Sequence, residues 1–248
     1  MTTAQALESA IGMGGFSEYF VTPEGAIYSA EVPASESAAA WRRWREPARG
    51  LGYWPVIFGG QKDANNFKML LASPNRVPAA QILEDSAKLD ATAVLAARFK
   101  KSRQLREDRA HGPWPGAPVP SAQFHLPTRR SKSDDPDPLI TIGLVPTDDP
   151  CVVPAVTGFG GWNECPKASE HVALHRHWQR TYGAELACMS RDIIEMSAGR
   201  RPSTQKEAIA LATEQFLYCP DIVEQGTRTI ETLAACLMAS ELWFFWWD

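Results

Sequence analysis

The chain has 248 residues, 44% of them hydrophobic and 22% charged, which is enough for a sizeable core in one large domain or two small ones. Its 25 basic against 29 acidic side chains give a net charge of −4, without the basic balance of a duplex-binding protein, so no nucleic-acid partner is expected. No apolar run approaches the roughly 18 residues of a membrane span, the opening "MTTAQALESAIGMGG" is no signal peptide, and five cysteines without a C-x-x-C pair argue for reduced thiols, so a cytoplasmic protein with no membrane partner is expected.

In chain order, "GAIYSAEVP" (25–33) reads as a strand. "ASESAAAWRRWREPARG" reads as a helix with Ser35 as its N-cap and Pro47 and Gly50 as its stop. "YWPVIFGG" (53–60) is a second strand, apolar enough to be buried on both faces, although Pro55 cannot donate in a central strand. One helix is expected from Pro78 to about Asp108, ending in the charged "RFKKSRQLREDR". That run is read as a solvated helix end, with a basic surface for an acidic partner as the alternative. Residues 110–138 are too proline-rich for long regular elements and separate an N-terminal part, 1–109, from a C-terminal part, 139–248. The two parts are expected to form one compact unit.

"LITIGLVP" (139–146) opens the second part as a buried strand. The helix "ASEHVALHRHWQRTYG" is closed by Gly183 at C′. "AELACMS" and "DIIEMSAG" are strands joined by a turn at 190–192. "STQKEAIALATEQFLYCP" is a helix capped by Ser203 or Thr204, with Glu207 placed for a capping box. "TRTIETLAACLMAS" is another helix, and "ELWFFWWD" is a strand with Trp243, Phe245 and Trp247 on one face and Phe244 and Trp246 on the other. Aromatics on both faces suggest a central strand or one covered on both sides. The fold class is thus α/β or α+β: a central mixed sheet flanked by helices, with the C-terminal aromatic strand in the sheet.

Reactive side chains concentrate in two places. "GFGGWNECP" (158–166) packs glycines with Trp162, Asn163, Glu164 and Cys165 ahead of a helix. Its spacing matches neither nucleotide-binding glycine motif, and no cofactor is expected. The bland reading is a tight turn plugged by Trp162; the sharper one is a loop that contacts a ligand or partner. "FLYCPDIVEQG" (216–226) places Tyr218, Cys219, Asp221, Glu224 and Gln225 at a helix end and proline corner. Both stretches are expected on the same side of the fold. His171 and His175 lie four apart on one helix face, as metal ligands can, but without a convincing third and fourth ligand no metal is expected. Cys165 with His171 as base is a candidate thiol nucleophile, and Asp221 a candidate carboxylate.

"FGGWNECP", "EHVALHRHWQRTYGAEL", "YCPDIVEQG" and "WFFWWD", in this order, resemble the bacterial domain-of-unknown-function family 4253, closely over about 150–248 and more weakly over 25–60. The resemblance implies a bacterial, intracellular domain and supplies no catalytic residues. By analogy alone it suggests a module used in toxin–immunity or other conflict systems. Two functions are therefore expected. The first is a non-enzymatic module binding a protein partner through Trp162, Asn163, Glu164, Tyr218, Cys219, Asp221 and Gln225. The second is a small-molecule enzyme using Cys165, His171 and Asp221. A flat, exposed aromatic surface would mark the first, and a concave pocket holding those three residues the second.

Overall fold

Two apolar runs, 54–58 and 140–145, form neighbouring strands at the centre of a seven-stranded sheet in the computed structural model, which describes residues 2–103, 108–116, 123–128 and 137–248. The strands are β1 (Ser17–Thr22), β2 (Gly25–Pro33), β3 (Trp54–Gly59), β4 (Leu139–Val145), β5 (Glu185–Met189), β6 (Ile193–Ser197) and β7 (Leu242–Trp246). Their spatial order is β1-β2-β4-β3-β5-β6-β7. Only β3 and β5 run parallel; every other neighbouring pair is antiparallel. The fold is therefore mixed α/β, with helices packed on an open sheet.

β3 is buried at every position, and β4 at all but Leu139. Such two-sided burial explains their continuous apolar sequence. Pro55 is tolerated inside β3, and its carbonyl accepts the Trp41 indole N–H at 3.0 Å. The sheet interleaves both parts of the chain: β3, from the N-terminal part, lies between β4 and β5 of the C-terminal part.

The helices are α1 (Thr3–Ile11), α2 (Ser37–Arg49), α3 (Gln61–Leu71), α4 (Ala79–Ala87), α5 (Ala91–Lys101), the short α6 (Val153–Thr157), α7 (Ala168–Tyr182), α8 (Gln205–Tyr218) and α9 (Ile230–Ala239). Gly183 ends α7 in the left-handed region at φ 62°, as its sequence predicts. Thr204 caps α8 through the Glu207 N–H, while the Glu207 carboxylate accepts from Ser203.

Several expectations are corrected. α2 starts at Ser37, after a 3₁₀ turn over Ala34–Glu36, and Pro47 lies inside its last turn. One lost N–H near a helix end does not stop a helix whose Trp41 and Trp44 are fully buried. The long helix expected from Pro78 to about Asp108 is interrupted, because Asp90 turns the chain and caps α5 by accepting the Ala93 N–H at 3.0 Å, and 104–107 lie outside the described residues. α1, β1 and α3 were not foreseen. Among the described residues β7 is an edge strand, paired with β6 alone. Its inner aromatics are buried, whereas Phe244 is 37% exposed and meets the His125 ring. Of the proline-rich segment, 117–122 and 129–136 lie outside the described residues. Ala110 accepts the Ile230 N–H at the start of α9, and Phe124 and Leu126 are buried in the core.

The end of the sheet at β6 and β7 carries an aromatic core. The Trp178 indole of α7 stacks on Phe245 at 5.7 Å and meets Trp243 edge-on. Tyr218 contacts Phe245 and Trp247, and Trp247 reaches His171 and Phe159. This cluster ties α7, α8 and β7 together, and the candidate site is built on it.

Candidate functional site

The "GFGGWNECP" loop is braced from within. Gly161 N–H donates to the Pro166 carbonyl at 2.9 Å, and Cys165 N–H closes a four-residue turn on the Trp162 carbonyl at 2.8 Å. Asn163 sits in that turn at φ 45°, a conformation asparagine tolerates better than most residues. Gly160 is required where it stands: at φ 111°, a β-carbon there would lie 2.2 Å from the Pro166 carbonyl and 2.8 Å from the His171 ring. The loop is thus shaped around His171. Pro166 precedes α7 by two residues rather than opening its first turn.

The loop and the "YCPDIVEQG" corner meet through a buried hydrogen-bonded chain. Cys165 Sγ lies 3.4 Å from His171 Nε2, His171 Nδ1 lies 2.6 Å from the Tyr218 hydroxyl, and that hydroxyl lies 2.9 Å from His175 Nε2. His171, His175 and Tyr218 are fully buried, and Cys165 is 5% exposed. The Tyr218 hydroxyl has one hydrogen and stands between His171 Nδ1 and His175 Nε2, so it donates to one ring and accepts from the other. His175 Nδ1 has no hydrogen-bond partner among the described residues.

Charge is disfavoured along this chain. Burial, with His175 and Arg98 nearby, holds His171 well below the ordinary imidazole value, and burial alone lowers His175 to about 3. Burial also raises the Cys165 thiol, with Cys219 adding to the effect, and raises the Tyr218 phenol. The depressed thiol expected of a cysteine ahead of a helix is therefore not formed: Cys165 stands three residues before α7, in a dry site.

The corner continues from α8 through a π-helical turn, Ile222–Thr227. Cys219 is buried, and its thiol donates to the Trp246 carbonyl at 2.9 Å. The Asp221 carboxylate accepts from Asp248 N–H at 3.1 Å and from the Gln225 amide at 3.1 Å. Asn163 donates to the Asp248 carbonyl, so loop and corner both hold the residue after the aromatic strand.

Between loop and corner lies a cleft of ≈ 630 Å³ whose third wall is the end of α5. Arg98 spans its base. The guanidinium donates to the carbonyls of Glu164 at 2.6 Å, of Tyr218 at 3.2 Å and of Leu217. A cation is well placed there, because Leu217 and Tyr218 carry the unpaired carbonyls of the α8 C-terminus. Part of the charged run read as a solvated helix end is thus a strut. Nothing local in the sequence signals this, since all three partners lie more than 60 residues away.

The predicted site residues separate into three groups. Asn163, Glu164, Cys165 and Asp221 line the cleft. His171, Tyr218 and Cys219 form the packed layer behind it. Trp162 faces a second hollow with Arg76 and Val77, and Gln225 is exposed and bonded to Asp221. Arg98, Lys101, Lys167, Glu170 and Glu224 were missed as cleft residues. Among the described residues no cluster of three or more His, Cys, Asp or Glu could hold a metal ion, and no helix is long and apolar enough to cross a membrane.

The model of one family, Domain of unknown function (DUF4253), matches residues 141–248. No curated protein and no solved structure matches the chain. The matched range contains the loop, α7, the corner and β7, and leaves out β3 and the α5 wall of the cleft. Over residues 141–248 the chain is similar to the DUF4253 family.

Proposed function

We propose that this chain is a non-enzymatic binding module whose recognition site is the cleft between α5, the "GFGGWNECP" loop and the "YCPDIVEQG" corner, and that its ligand is a segment of a partner protein. One observation carries this reading. The reactive groups of the two loops are consumed by their own packing and hydrogen bonds, while the cleft in front presents fixed polar and charged side chains. The five cysteines are free, which suits a reducing compartment such as the bacterial cytoplasm. A photo-cross-linking amino acid placed at Glu164 in the producing cell is expected to capture one protein, and the same residue at Met69, 74% exposed and outside the cleft, to capture none. Equal labelling at both positions, or none at Glu164, would refute the module.

A second reading, a thiol enzyme, draws support from the concavity of the site and from Cys165 lying 3.4 Å from His171. Against it, burial raises the Cys165 thiol and lowers His171, disfavouring a thiolate–imidazolium pair. Peptide mapping after iodoacetamide treatment at pH 7.5 should find half-buried Cys236 modified well before Cys165. Rapid Cys165 alkylation, with a rate that levels off below pH 7, is the result that would replace the binding module by the enzyme.

A further inference from the structure

We infer that the chain holds a second site, for a small uncharged polyhydroxylated molecule of the sugar class, between α3 and one face of β1, β2 and β4. Among the described residues it shares no lining side chain with the cleft of the proposed module, and it stands apart from that reading. Thr141 carries the inference. It is the one hydroxyl in "LITIGLV", lies inside a buried strand and is 6% exposed, yet its hydroxyl has no hydrogen-bond partner among the described residues. A buried hydroxyl without a partner costs free energy that a valine of the same shape would not. Thr141 lines a hollow of ≈ 510 Å³, within the usual range for small-ligand sites of about 300–1,000 Å³.

The floor of the hollow is polar by register. Ser17 of β1 stands opposite Ser29 of β2, and Glu31 of β2 opposite Thr141 of β4. Opposed residues share a face, and Ser29 and Glu31 are two apart on one strand, so the four side chains stand on the same face. α3 forms the wall beside them with Gln61, Asn65 and Lys68. Floor and wall are held together. The Tyr19 hydroxyl of β1 donates to the Ala64 carbonyl of α3. The Phe58 ring, for which Gly143 leaves room, meets both Tyr19 and Phe67. Glu8 accepts the Gly15 N–H at 2.8 Å and the Phe16 N–H at 3.3 Å, which fixes the rim at 13–15.

The lining chemistry selects the ligand. The carboxylates of Glu18 and Glu31 accept, the Lys68 ammonium donates, and the hydroxyls and amides do both. Gln61 donates to Asn65 at 3.1 Å, which leaves each amide further hydrogens to give. A sugar hydroxyl also donates and accepts, so a ring of hydroxyls can partner every one of these groups. An anion would meet the two carboxylates, and an apolar ligand would strand them together with Thr141. Lys68 Nζ lies 5.4 Å from the centre of the Tyr19 ring, so that face is already taken by a cation and the ligand is gripped by hydrogen bonds rather than by stacking.

Saturation-transfer NMR on the full chain tests this with glucose, galactose, mannose and ribose, and with glucosamine and glucuronate as cationic and anionic relatives. Transfer to at least one neutral sugar is expected, stronger than to either charged relative. Thr141→Val and Glu31→Gln should each weaken that sugar's binding at least about tenfold, roughly 1.4 kcal/mol. Met69→Ala, on α3 but outside the hollow, should leave it unchanged. Thr141→Val should also melt at or above the wild-type temperature, since it removes an unpartnered hydroxyl. No transfer to any neutral sugar, transfer to a charged relative alone, or binding that survives both substitutions overturns the inference. A Thr141→Val chain that melts well below the wild type overturns it too, because the hydroxyl then has its partner within the fold.

Discussion

Removing residues 243–248 is expected to leave an insoluble or molten chain, and Phe245→Ala alone to lower the melting temperature by about 10 °C. Trp243, Phe245 and Trp247 are each no more than 1% exposed. Their partners are Trp178, Tyr218, His171 and Phe159, drawn from α7, α8 and the glycine loop. One such ring buries about 150–250 Å², worth roughly 4–6 kcal/mol at about 25 cal/mol per Å² before entropy is subtracted. Truncating one buried aromatic to alanine costs about 3–5 kcal/mol, and a chain of this size loses about 2–4 °C per kcal/mol. Three such rings together are comparable to the roughly 5–15 kcal/mol that holds a domain together. Phe244→Ala is the control. Its side chain lies on the other face, partly exposed, with the His125 ring beside it. That variant should melt within about 3 °C of the wild type. Circular dichroism melts of the three proteins check the assignment. A truncated chain melting at the wild-type temperature would show that the strand is an appendage and that the loop and corner are held by something else.

The inner and outer faces of that strand were legible because alternation needs only its own six residues. Its position at the edge was not legible, since one aromatic on the outer face looks the same whether a strand or an isolated ring covers it. The same division runs through the molecule. Gly183, Thr204 and the apolar run of β4 announce themselves locally, and the helix and strands they delimit stand where the sequence puts them. The insertion of β3 between β4 and β5 depends on pairing across about 80 to 130 residues, which no local pattern encodes.

At the site, the glycines, Cys165, His171 and Tyr218 were found as a group because they are chemically conspicuous, and the structure does join them. Conspicuous chemistry proved a poor guide to exposure. His171, Tyr218 and Cys219 lie behind the cleft, and charges from α5 and the corner line it beside the nearly buried Cys165. Arg98 could have been singled out only by knowing that α8 ends against α5.

Glu195 shows most clearly what the sequence concealed, and it gives the second large effect. In "DIIEMSAG" it reads as the polar position of a strand. It is 2% exposed, its two oxygens accept the His125 and Leu126 N–H groups at 2.6 Å, and Cys188 is its register partner on the neighbouring strand. It clamps residues 124–126 to the sheet. Burial outweighs these hydrogen bonds and raises the carboxyl from 4.5 to about 7. The folded state therefore takes up a proton between pH 4.5 and 7, so this group stabilises the fold at low pH and loses that contribution as pH rises through about 7.

His171 and His175 act in the opposite sense. Their folded values lie far below 6.5, so the unfolded chain binds more protons below that pH and stability is lost as pH falls. Each fully titrating group is worth about 1.4 kcal/mol per pH unit. Between pH 6 and 5, two histidines against one glutamate leave a net loss of about 1 kcal/mol per unit on acidification. Glu195→Gln removes the opposing group and should roughly double that slope. It should also destabilise the protein by about 1–3 kcal/mol at pH 5, because its amide NH₂ must face a backbone N–H that now meets an oxygen. Urea unfolding of both proteins at half-unit steps from pH 5 to 7.5 measures the two slopes. Parallel curves would mean that Glu195 is ionised throughout this range, and that the backbone donors outweigh its burial. A wild-type curve that rises on acidification would mean that the two histidines do not stay neutral in the fold, and the Cys165–His171–Tyr218–His175 chain would have to be redrawn around an imidazolium.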